Sequence, residues 1–442
     1  MPNCPHPNDP KVDTDVGVFK EDCTDVEAFS KWWERWVEMK CDFSQEFFEL
    51  HVESDSIELI HNKLNRCKER ELKNLLDSSP KQWISGPCGS GKTWLLIHKV
   101  QEITKQTDEK ILVVCYSKPF SMKLANELKF EKVKVVTFEE LLLELSEHDS
   151  LTEQVGEGHV NDVLVRLEEG TVEVQRYDHI FVHECEDLEG DKWPTLFEKL
   201  CKDEKEKEEY SRPKNIWFFC DPNQYLSHRS VNHLQSLVEG TRVYKNTLNI
   251  SNQAKNYFKG VVPGAKPPQP GHTIRGPRIE WDDSLTSRDD KEDAGVKFIE
   301  KHIKDFCKNK VRDKEICILT ENEDVRNSII LELKNINIQS QNATIRHKHD
   351  EDKVVVESIR QFKELSSDVV VLYNPPYSED TKWTEMHVKS HLYIAMSSCV
   401  CKLVVITTKS GCKALQSEEG MTSQSEGSPS QKTRDEEVQK EL

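Results

Sequence analysis

The sequence predicts an α/β protein made of two lobes, each a parallel β-sheet with helices on both faces. From Lys81 to about residue 412, short β-branched and aromatic runs alternate with amphipathic helical stretches, which is the pattern of βαβ units. The stretch VVPGAKPPQPG at residues 261–271 interrupts this alternation. Since proline fixes φ and removes a backbone donor, the stretch predicts the boundary between the two lobes.

We therefore divide the chain into five parts. Residues 1–80 form a helical accessory segment, in which tryptophans and other apolar residues recur at helical spacing. The first lobe spans residues 81–260, a Pro/Gly-rich linker spans 261–277, and the second lobe spans 278–412. Residues 413–442 are polar and acidic with few apolar side chains, which predicts a disordered tail.

The predicted strands of both lobes are short apolar runs. In the first lobe they are QWISG, KILVVCYS, KVKVVTF, HIFVHE and NIWFFC. In the second lobe they are RIEW, EICILT, KVVVESI, DVVVLYN and KLVVIT, with helices from about Asp290 to Lys308 and around ILELKN and HLYIAMSS. This order resembles the first lobe, so two sheets of similar construction follow one another.

Composition limits the class of protein and its compartment. A chain of 442 residues has room for two or three domains. None of its apolar runs approaches the roughly 20 residues needed to span a bilayer, which predicts a soluble protein without a membrane partner. The N-terminus lacks the features of a secretory signal. We therefore expect an intracellular location, cytoplasm or nucleus, where the 14 cysteines are buried free thiols rather than disulfides or zinc ligands.

The net charge of −18 argues against a surface that attracts polyanions as a whole. A local basic groove remains compatible with it, because nucleic-acid affinity depends on where lysine and arginine cluster.

One motif carries a specific chemistry. The stretch GPCGSGKT, from Gly86 to Thr93, matches G-x-x-x-x-G-K-[ST] and lies between a predicted strand and a predicted helix. Its glycines allow backbone N–H groups to surround phosphates, the lysine reaches the terminal phosphates and the hydroxyl meets Mg²⁺. Cys88 is interpreted as a small loop filler. The predicted nucleotide-binding residues are Gly86, Gly89, Ser90, Gly91, Lys92 and Thr93.

Several further stretches, in order, resemble the motifs of superfamily 1 helicases of the UvrD/Rep type. They are ILVVCYSKPFSMKLANEL (Ia), VKVVTFEELL (Ib), HIFVHECEDL where the family has D-E-x-Q-D, and IWFFCDPNQYL, similar to G-D-x-x-Q. The second lobe adds VVVESIRQFKELSSDVVVL (V) and HLYIAMSSCVCKLVVI (VI). The resemblance covers about residues 81–410. It implies two RecA-like lobes that clamp ATP between them and move along single-stranded nucleic acid.

The resemblance also implies roles in the first lobe. Glu184 stands at the water-activating glutamate and Gln224 at the glutamine that senses the terminal phosphate. ATP and Mg²⁺ are the implied ligands. His183, however, stands at the metal-holding aspartate, and a neutral imidazole suits softer metals than Mg²⁺. We expect Asp221, after the next strand, to compensate in part as a metal ligand together with Thr93. Glu186 replaces a glutamine of the family and places a carboxylate near the phosphates.

The second lobe departs further from the family. Ser398 stands where motif VI has arginine, and Gln253 is aligned with another expected arginine. Lys363-Glu364-Leu365-Ser366 replaces K-G-L-E in motif V. Removal of an arginine finger costs about 10³–10⁵ in rate. Lys402 and Arg360 are the nearby cations, but neither is at the matching position.

A nucleic-acid site is predicted at the loops that follow the first-lobe strands, where aromatic faces stack on bases and lysine meets phosphate. The alternative for the two phenylalanines is that they pack beneath the lobe. The candidate residues are Tyr116, Lys118, Phe120, Phe138 and Tyr225.

Three functional hypotheses remain open at the level of sequence. The first, which we favour, is a degenerate helicase-like protein that binds ATP and single-stranded DNA or RNA, hydrolyses ATP poorly, and uses lobe closure as a switch. The second is an active nucleic-acid-dependent ATPase or helicase. The third is a nucleotide-gated protein-interaction module that docks a protein partner through the Trp-rich N-terminal helices and the acidic tail.

Overall fold

The fold confirms the predicted class, two RecA-like lobes with parallel sheets flanked by helices. A computed structural model describes residues 57, 60–65, 68, 81–146, 157–171, 174–188, 191–202, 215–221, 224, 237–239, 242–258, 267–287, 294–343, 352–377 and 384–417. Within these ranges, each lobe contains one six-stranded sheet whose strands are all parallel.

The first lobe has the strand order β3-β2-β4-β5-β1-β6. Its elements are β1 (Lys81–Ser85), α1 (Lys92–Gln106), β2 (Ile111–Cys115), α2 (Lys118–Glu127), β3 (Val133–Thr137), α3 (Phe138–Ser146), α4 (Glu157–Glu169), β4 (His179–His183), α5 (Trp193–Leu200), β5 (Ile216–Cys220) and β6 (Leu237–Glu239).

The second sheet has the order β11-β12-β10-β13-β14-β9, and a two-stranded pair, β7 and β8, precedes it. The elements are β7 (Arg242–Val243), α6 (Leu248–Lys255), β8 (Gln269–Pro270), β9 (Glu280–Leu285), α7 (Ala294–Lys308), β10 (Ile316–Thr320), α8 (Glu323–Asn335), β11 (Ser340–Gln341), β12 (Val354–Ser358), β13 (Ser367–Tyr373), α9 (Glu385–Ser397), β14 (Cys399–Thr408) and α10 (Lys409–Ser417).

Continuous apolar runs form the inner strands because helices cover both faces of each sheet. Every residue of β2, β4, β10 and β12 is buried. The aromatic residues of β5 alternate between the two faces: Trp217 and Phe219 belong to one apolar cluster and Phe218 to another. Since all six strands run parallel, their carboxyl ends lie at one edge, where the loops of the first lobe meet.

Side-chain caps set where the helices next to this edge begin. The Ser117 hydroxyl accepts a hydrogen bond from the Phe120 N–H, at 3.3 Å, and starts α2. Thr384 caps α9 in the same way through the His387 N–H. Each cap satisfies a backbone donor that the first helical turn leaves without a partner.

Helix α6, which precedes the predicted linker, contacts elements of the second lobe. Helix α6 packs against α9 and β14. The Thr247 N–H donates to the Val400 carbonyl at 3.0 Å, and the Tyr257 hydroxyl donates to the Leu415 carbonyl at 3.1 Å. Residues 413–417, predicted as the start of the disordered tail, instead belong to α10, because Leu415 is buried in the apolar core.

The described part of the predicted accessory segment is helical at residues 60–65. Ile57, Ile60 and Leu64 are buried in the apolar cluster of the second lobe, and His61 contacts the Asp368 carboxylate. The remainder of residues 1–80, linker residues 261–266 and tail residues 418–442 lie outside the described residues. Across the described portion of the chain, no helix combines the length and apolar character needed to cross a membrane.

We predict that Trp217→Ala lowers the free energy of unfolding by about 3–5 kcal/mol, the usual cost of truncating a buried aromatic residue. Trp217 is fully buried between Phe181 and Phe219, with ring centroids 5.9 and 6.1 Å away. Urea unfolding followed by circular dichroism measures the change. Phe130→Ala is the control: the side chain is 37% exposed, so a change within about 0.5 kcal/mol is expected. Equal losses in the two variants would contradict the assignment of Trp217 to the core.

Candidate nucleotide site

The stretch from Gly86 to Thr93, called the phosphate loop below, has the backbone shape that its glycines were predicted to provide. Gly89 and Gly91 have φ of +79° and +98°, a region that L-residues with a Cβ rarely adopt. A Cβ on Gly89 would also lie 2.7 Å from the Cβ of Lys245. The Gly86 N–H donates to the Cys220 carbonyl at 3.1 Å, and the buried Ser90 donates its N–H to Pro87. The loop is therefore both tightly turned and tightly packed.

Helix α1 begins at Lys92, so the first N–H groups of the helix point out of its amino end at the loop. Such groups have no partner within a helix and favour anions. The Lys92 ammonium donates to the carbonyls of Gly86 and Pro87 at 2.8 and 3.3 Å. Burial lowers the pKa of Lys92, but Glu364 and Asp221 outweigh burial and raise it to about 12. Lys92 is thus a permanent cation beside the loop.

His183 occupies an apolar position at the end of β4. It is fully buried, with the Phe120 ring at 4.8 Å and the Phe219 ring at 5.8 Å between centroids. Its Nε2 lies 3.2 Å from the Thr93 hydroxyl. Burial lowers the pKa of His183 to about 4, so the ring is neutral at physiological pH. The residue holds the Thr93 hydroxyl but adds no negative charge near a metal ion.

Glu184 has a left-handed backbone, with φ of +60°. Its Oε2 accepts from the N–H groups of Tyr116 and Ser117, at 3.1 and 3.0 Å, and so ties the end of β4 to the end of β2. Burial raises the pKa of the Glu184 carboxyl well above its ordinary value. This shift opposes the role of water-activating base that the resemblance implies.

The two remaining first-lobe candidates lie after β5. Asp221 is fully buried; its N–H donates to Glu186 Oε2 at 3.1 Å, and its Oδ2 accepts from the Tyr393 hydroxyl at 3.4 Å. Gln224 is also buried and donates its N–H to the Asp221 carbonyl at 2.9 Å. The Asp221 carboxylate also raises the pKa of Lys92, the lysine beside the phosphate loop.

A buried ion pair joins the two lobes. The Lys363 ammonium, from the turn after β12, lies 2.8 Å from Glu186 Oε1 and also contacts the Asp187 carboxylate. All three side chains are almost completely shielded from solvent. Burial raises the pKa of Glu186 to about 7, whereas Asp187 and Glu186 outweigh burial and raise the pKa of Lys363 well above its usual value. Glu186 is therefore turned towards the second lobe.

The structure gives partners for the second-lobe residues that depart from the family and for the two nearby cations. Ser398 donates its hydroxyl to the Ile394 carbonyl at 2.7 Å, within its own helix. Gln253, aligned with another expected arginine, donates its side-chain Nε2 to the Leu415 carbonyl at 3.4 Å. Lys402 pairs with Glu280 at 3.1 Å. Arg360 crosses between the lobes, and its Nη2 donates to the Tyr116 hydroxyl at 3.1 Å.

Sequence reasoning missed the cation that lies against the phosphate loop. Lys245 donates to the Cys88 thiol at 2.9 Å, and the neighbouring Asn246 donates to the carbonyls of Ser397 and Cys399 at 2.7 and 2.6 Å. Tyr393, in the motif VI-like stretch, accepts from the Cys88 N–H at 3.2 Å. The available signal was a lysine shortly before helix α6. Cys88 is therefore a contact point for both lobes as well as a small residue.

The predicted nucleic-acid contacts divide in the structure. Phe120 and Phe138 are buried in the apolar clusters, as expected from the alternative in which they pack beneath the lobe. Lys118 is exposed and pairs with Glu140. Tyr116 lies at the interlobe contact with Arg360. Tyr225 lies outside the described residues.

Four buried polar atoms around the phosphate loop lack a hydrogen-bond partner in the described part of the chain. They are His183 Nδ1, Glu184 Oε1, Gln224 Oε1 and Glu364 Oε1. Buried polar groups normally have partners, so these atoms indicate a site built for a polar ligand. No group of three or more His, Cys, Asp or Glu side chains within the described ranges could hold a metal ion by itself. Nucleotide sites need fewer ligands, because Mg²⁺ keeps waters and takes phosphate oxygens.

Comparison with known proteins adds fold neighbours only. No protein-family model and no curated protein matches the sequence. PRRSV helicase has a TM-score of 0.36 at 11% identity, over 74% of this chain and 52% of that chain. Arterivirus nonstructural protein 10 (helicase), in a complex with DNA, has a TM-score of 0.35 at 14% identity over 78% and 65%.

A third neighbour is the C-terminal domain of a possible DNA helicase from Lactobacillus plantarum WCFS1. Its TM-score is 0.28 at 14% identity, over 37% of this chain and 86% of that domain. The present chain thus spans about half of the PRRSV helicase chain.

We predict that Lys363→Met destabilises the protein by about 3–5 kcal/mol, because it leaves two buried carboxyl groups without their cation. Unfolding in urea measures the loss. The triple variant with Glu186→Gln and Asp187→Asn removes the uncompensated charges and recovers most of it. A loss below about 1 kcal/mol for Lys363→Met, the range of exposed ion pairs, would show that the pair is open to solvent.

His183 also predicts a dependence of stability on pH. A histidine whose pKa falls from 6.5 to about 4 on folding stabilises the fold above pH 6.5, and this contribution is lost as the pH falls towards 4. At about 1.4 kcal/mol per pH unit the loss is about 3 kcal/mol. The free energy of unfolding of wild type and His183→Asn, measured at pH 7 and 4.5, isolates the effect. Parallel pH profiles for the two proteins would contradict it.

Proposed function

We propose that this chain is a helicase-like nucleotide-binding protein that takes ATP with Mg²⁺ at the phosphate loop, hydrolyses it poorly, and uses lobe closure as a switch. The observation that supports this proposal best is that residues of both lobes contact this loop. Tyr393 and Lys245 contact Cys88, and Lys363 reaches the acidic turn after β4. A ligand bound at the loop therefore touches groups from both sides of the interface.

The first lobe supplies the phosphate contacts of this proposal. The amino end of α1 and the Lys92 ammonium bind the phosphates, and the Thr93 hydroxyl and Asp221 carboxylate are the residues that would hold Mg²⁺. When bound, the ion neutralises charge on the phosphate oxygens. Gln224, with a buried side-chain oxygen that has no partner among the described residues, contacts the terminal phosphate or its attacking water.

Poor hydrolysis follows from three features of the site. His183 is neutral and enclosed by two phenylalanine rings. Burial raises the pKa of Glu184 well above its ordinary value, which lowers the fraction of the carboxyl that is ionised and able to accept a proton. Ser398 is bonded within its own helix and supplies no positive charge. Phosphoryl transfer depends on positioning and charge neutralisation, and each feature removes part of them.

The switch follows from the two-sided construction of the site. A ligand that contacts both lobes binds their closed arrangement more tightly than an open one, and so shifts the population towards it. Arg360 with Tyr116 and Lys363 with the acidic turn are closed-state contacts that nucleotide binding would reinforce.

A second candidate, an active single-strand-dependent ATPase, is favoured by Lys245. This lysine places a cation against the phosphate loop, where it could replace part of the missing arginine, although lysine lacks the planar fork of arginine. Lys118, Tyr116 and Arg360 would then contact the DNA or RNA strand, because exposed ion pairs such as Lys118 with Glu140 exchange readily for phosphate.

We predict that the protein binds ATP with Mg²⁺ and that Lys92→Ala abolishes binding, since it removes the cation aimed at the phosphates. Wild-type turnover should stay below about 0.1 s⁻¹, because loss of an arginine finger costs about 10³-fold or more. Isothermal titration and single-turnover hydrolysis, with and without single-stranded DNA or RNA, measure both quantities. Lys105→Ala, exposed on the same helix, is the matched control and should bind normally.

The outcomes separate the candidates. ATP that binds through Lys92 and stays intact supports the switch. Rapid, strand-stimulated hydrolysis that Glu184→Gln abolishes would establish the second candidate and refute poor hydrolysis. Equal ATP affinity in wild type and Lys92→Ala would refute the nucleotide site itself.

A further inference from the structure

Glu364 has a backbone conformation that disfavours its side chain. Its φ is +63°, in the left-handed region that costs an L-residue with a Cβ free energy and that glycine adopts readily. In the helicase motif V that this stretch resembles, glycine stands at this position. The turn thus has the shape of the glycine turn, and a carboxylate has been added to it.

The carboxylate lies at the interface between the lobes. The preceding residue, Lys363, contacts Glu186 and Asp187 of the first lobe, so the turn is held against the acidic loop beside the phosphate loop. Glu364 Oε1 is shielded from solvent and has no hydrogen-bond partner in the described portion of the chain. A shielded carboxylate oxygen without a donor is costly unless cations act on it.

The cations that act on Glu364 belong to the phosphate site. Burial raises the pKa of the Glu364 carboxyl, but Lys92, followed by His183 and Lys245, outweighs burial and lowers that pKa to about 2. In turn, Glu364 is the foremost group that raises the pKa of Lys92. The carboxylate is thus an anion in the field of the lysine to which the terminal phosphate would bind.

We propose that Glu364 is a specificity-determining residue that competes with the terminal phosphate of a bound nucleotide for Lys92. This inference rests on the proposed nucleotide site. A nucleoside diphosphate leaves the place of the terminal phosphate to the carboxylate. A triphosphate brings further negative charge to the same cation. It must therefore either displace the turn or bind despite the repulsion of the Glu364 carboxylate. The chain therefore discriminates against triphosphate relative to diphosphate, by means of a group that its second lobe supplies.

The charged residues around the site support discrimination against the triphosphate. The acids are Glu184, Glu186, Asp187, Asp221 and Glu364, and the lysines are Lys92, Lys245 and Lys363. Lys363 is engaged with two of the acids, and burial raises the pKa of Glu184 well above its ordinary value. Glu364 and Asp221 both raise the pKa of Lys92, and of these two carboxylates only Glu364 comes from the second lobe.

The test compares affinities for ATP and ADP, with Mg²⁺, in wild type, Glu364→Gln and Glu364→Gly by isothermal titration. Both variants should bind ATP about tenfold more tightly than wild type and ADP by less than about threefold, since only the triphosphate meets the carboxylate. Glu364→Gly also suits the left-handed turn, so it keeps the test valid if the glutamine variant folds poorly. Glu385→Gln, exposed at the start of α9, is the control and should leave both affinities unchanged.

The outcomes distinguish this inference from the proposed function. If neither nucleotide binds wild type or any variant, the nucleotide site itself fails. If binding requires Lys92 but the ratio of ATP to ADP affinity is the same in wild type, Glu364→Gln and Glu364→Gly, only the role of Glu364 fails. A Glu364→Gln variant that weakens ATP binding solely when Mg²⁺ is present would also overturn the inference, because Glu364 would then hold the metal ion.

Discussion

Lys363 links the two lobes through an ammonium group that is buried away from solvent. A buried ammonium is tolerated only where carboxylates and good geometry replace its hydration, and Glu186 and Asp187 provide both. The turn that carries Lys363 must therefore remain against the acidic turn after β4. This constraint also positions Glu364, the next residue, and keeps the carboxyl-end loops of the first sheet covered by the second lobe.

The contact with Lys363 also explains how the protein accommodates Glu186 where the helicase pattern has glutamine. Glu186, in place of glutamine, would repel a phosphate if its carboxylate faced the nucleotide. Instead its Oε1 faces Lys363 and its Oε2 accepts the Asp221 N–H, so its charge is matched within the protein. His183 is a different case: two phenylalanine rings and the Thr93 hydroxyl contact it, and none of these three groups carries the negative charge of an aspartate.

The phosphate loop belongs to both lobes in its contacts although it belongs to the first in sequence. Cys88 contacts Tyr393 and Lys245, while Gly89 lies too close to Lys245 to accept a Cβ. Any rearrangement that separates the lobes must break these contacts and expose the loop. A ligand on the loop would therefore be coupled to the relative position of the lobes, which is the physical requirement for the proposed switch.

The sequence by itself determined the two parallel sheets, the phosphate loop and the strand ends that carry Glu184 and Asp221, because these follow from local patterns of apolar runs, glycines and helix starts. It did not predict which cation lies at the loop. Lys245, Lys363 and Glu364 meet the phosphate loop and the acidic turn only after residues far apart in sequence come together. The burial of Phe120 and Phe138 and the pKa of His183 were decided by the same packing, since desolvation depends on neighbours that no local pattern specifies.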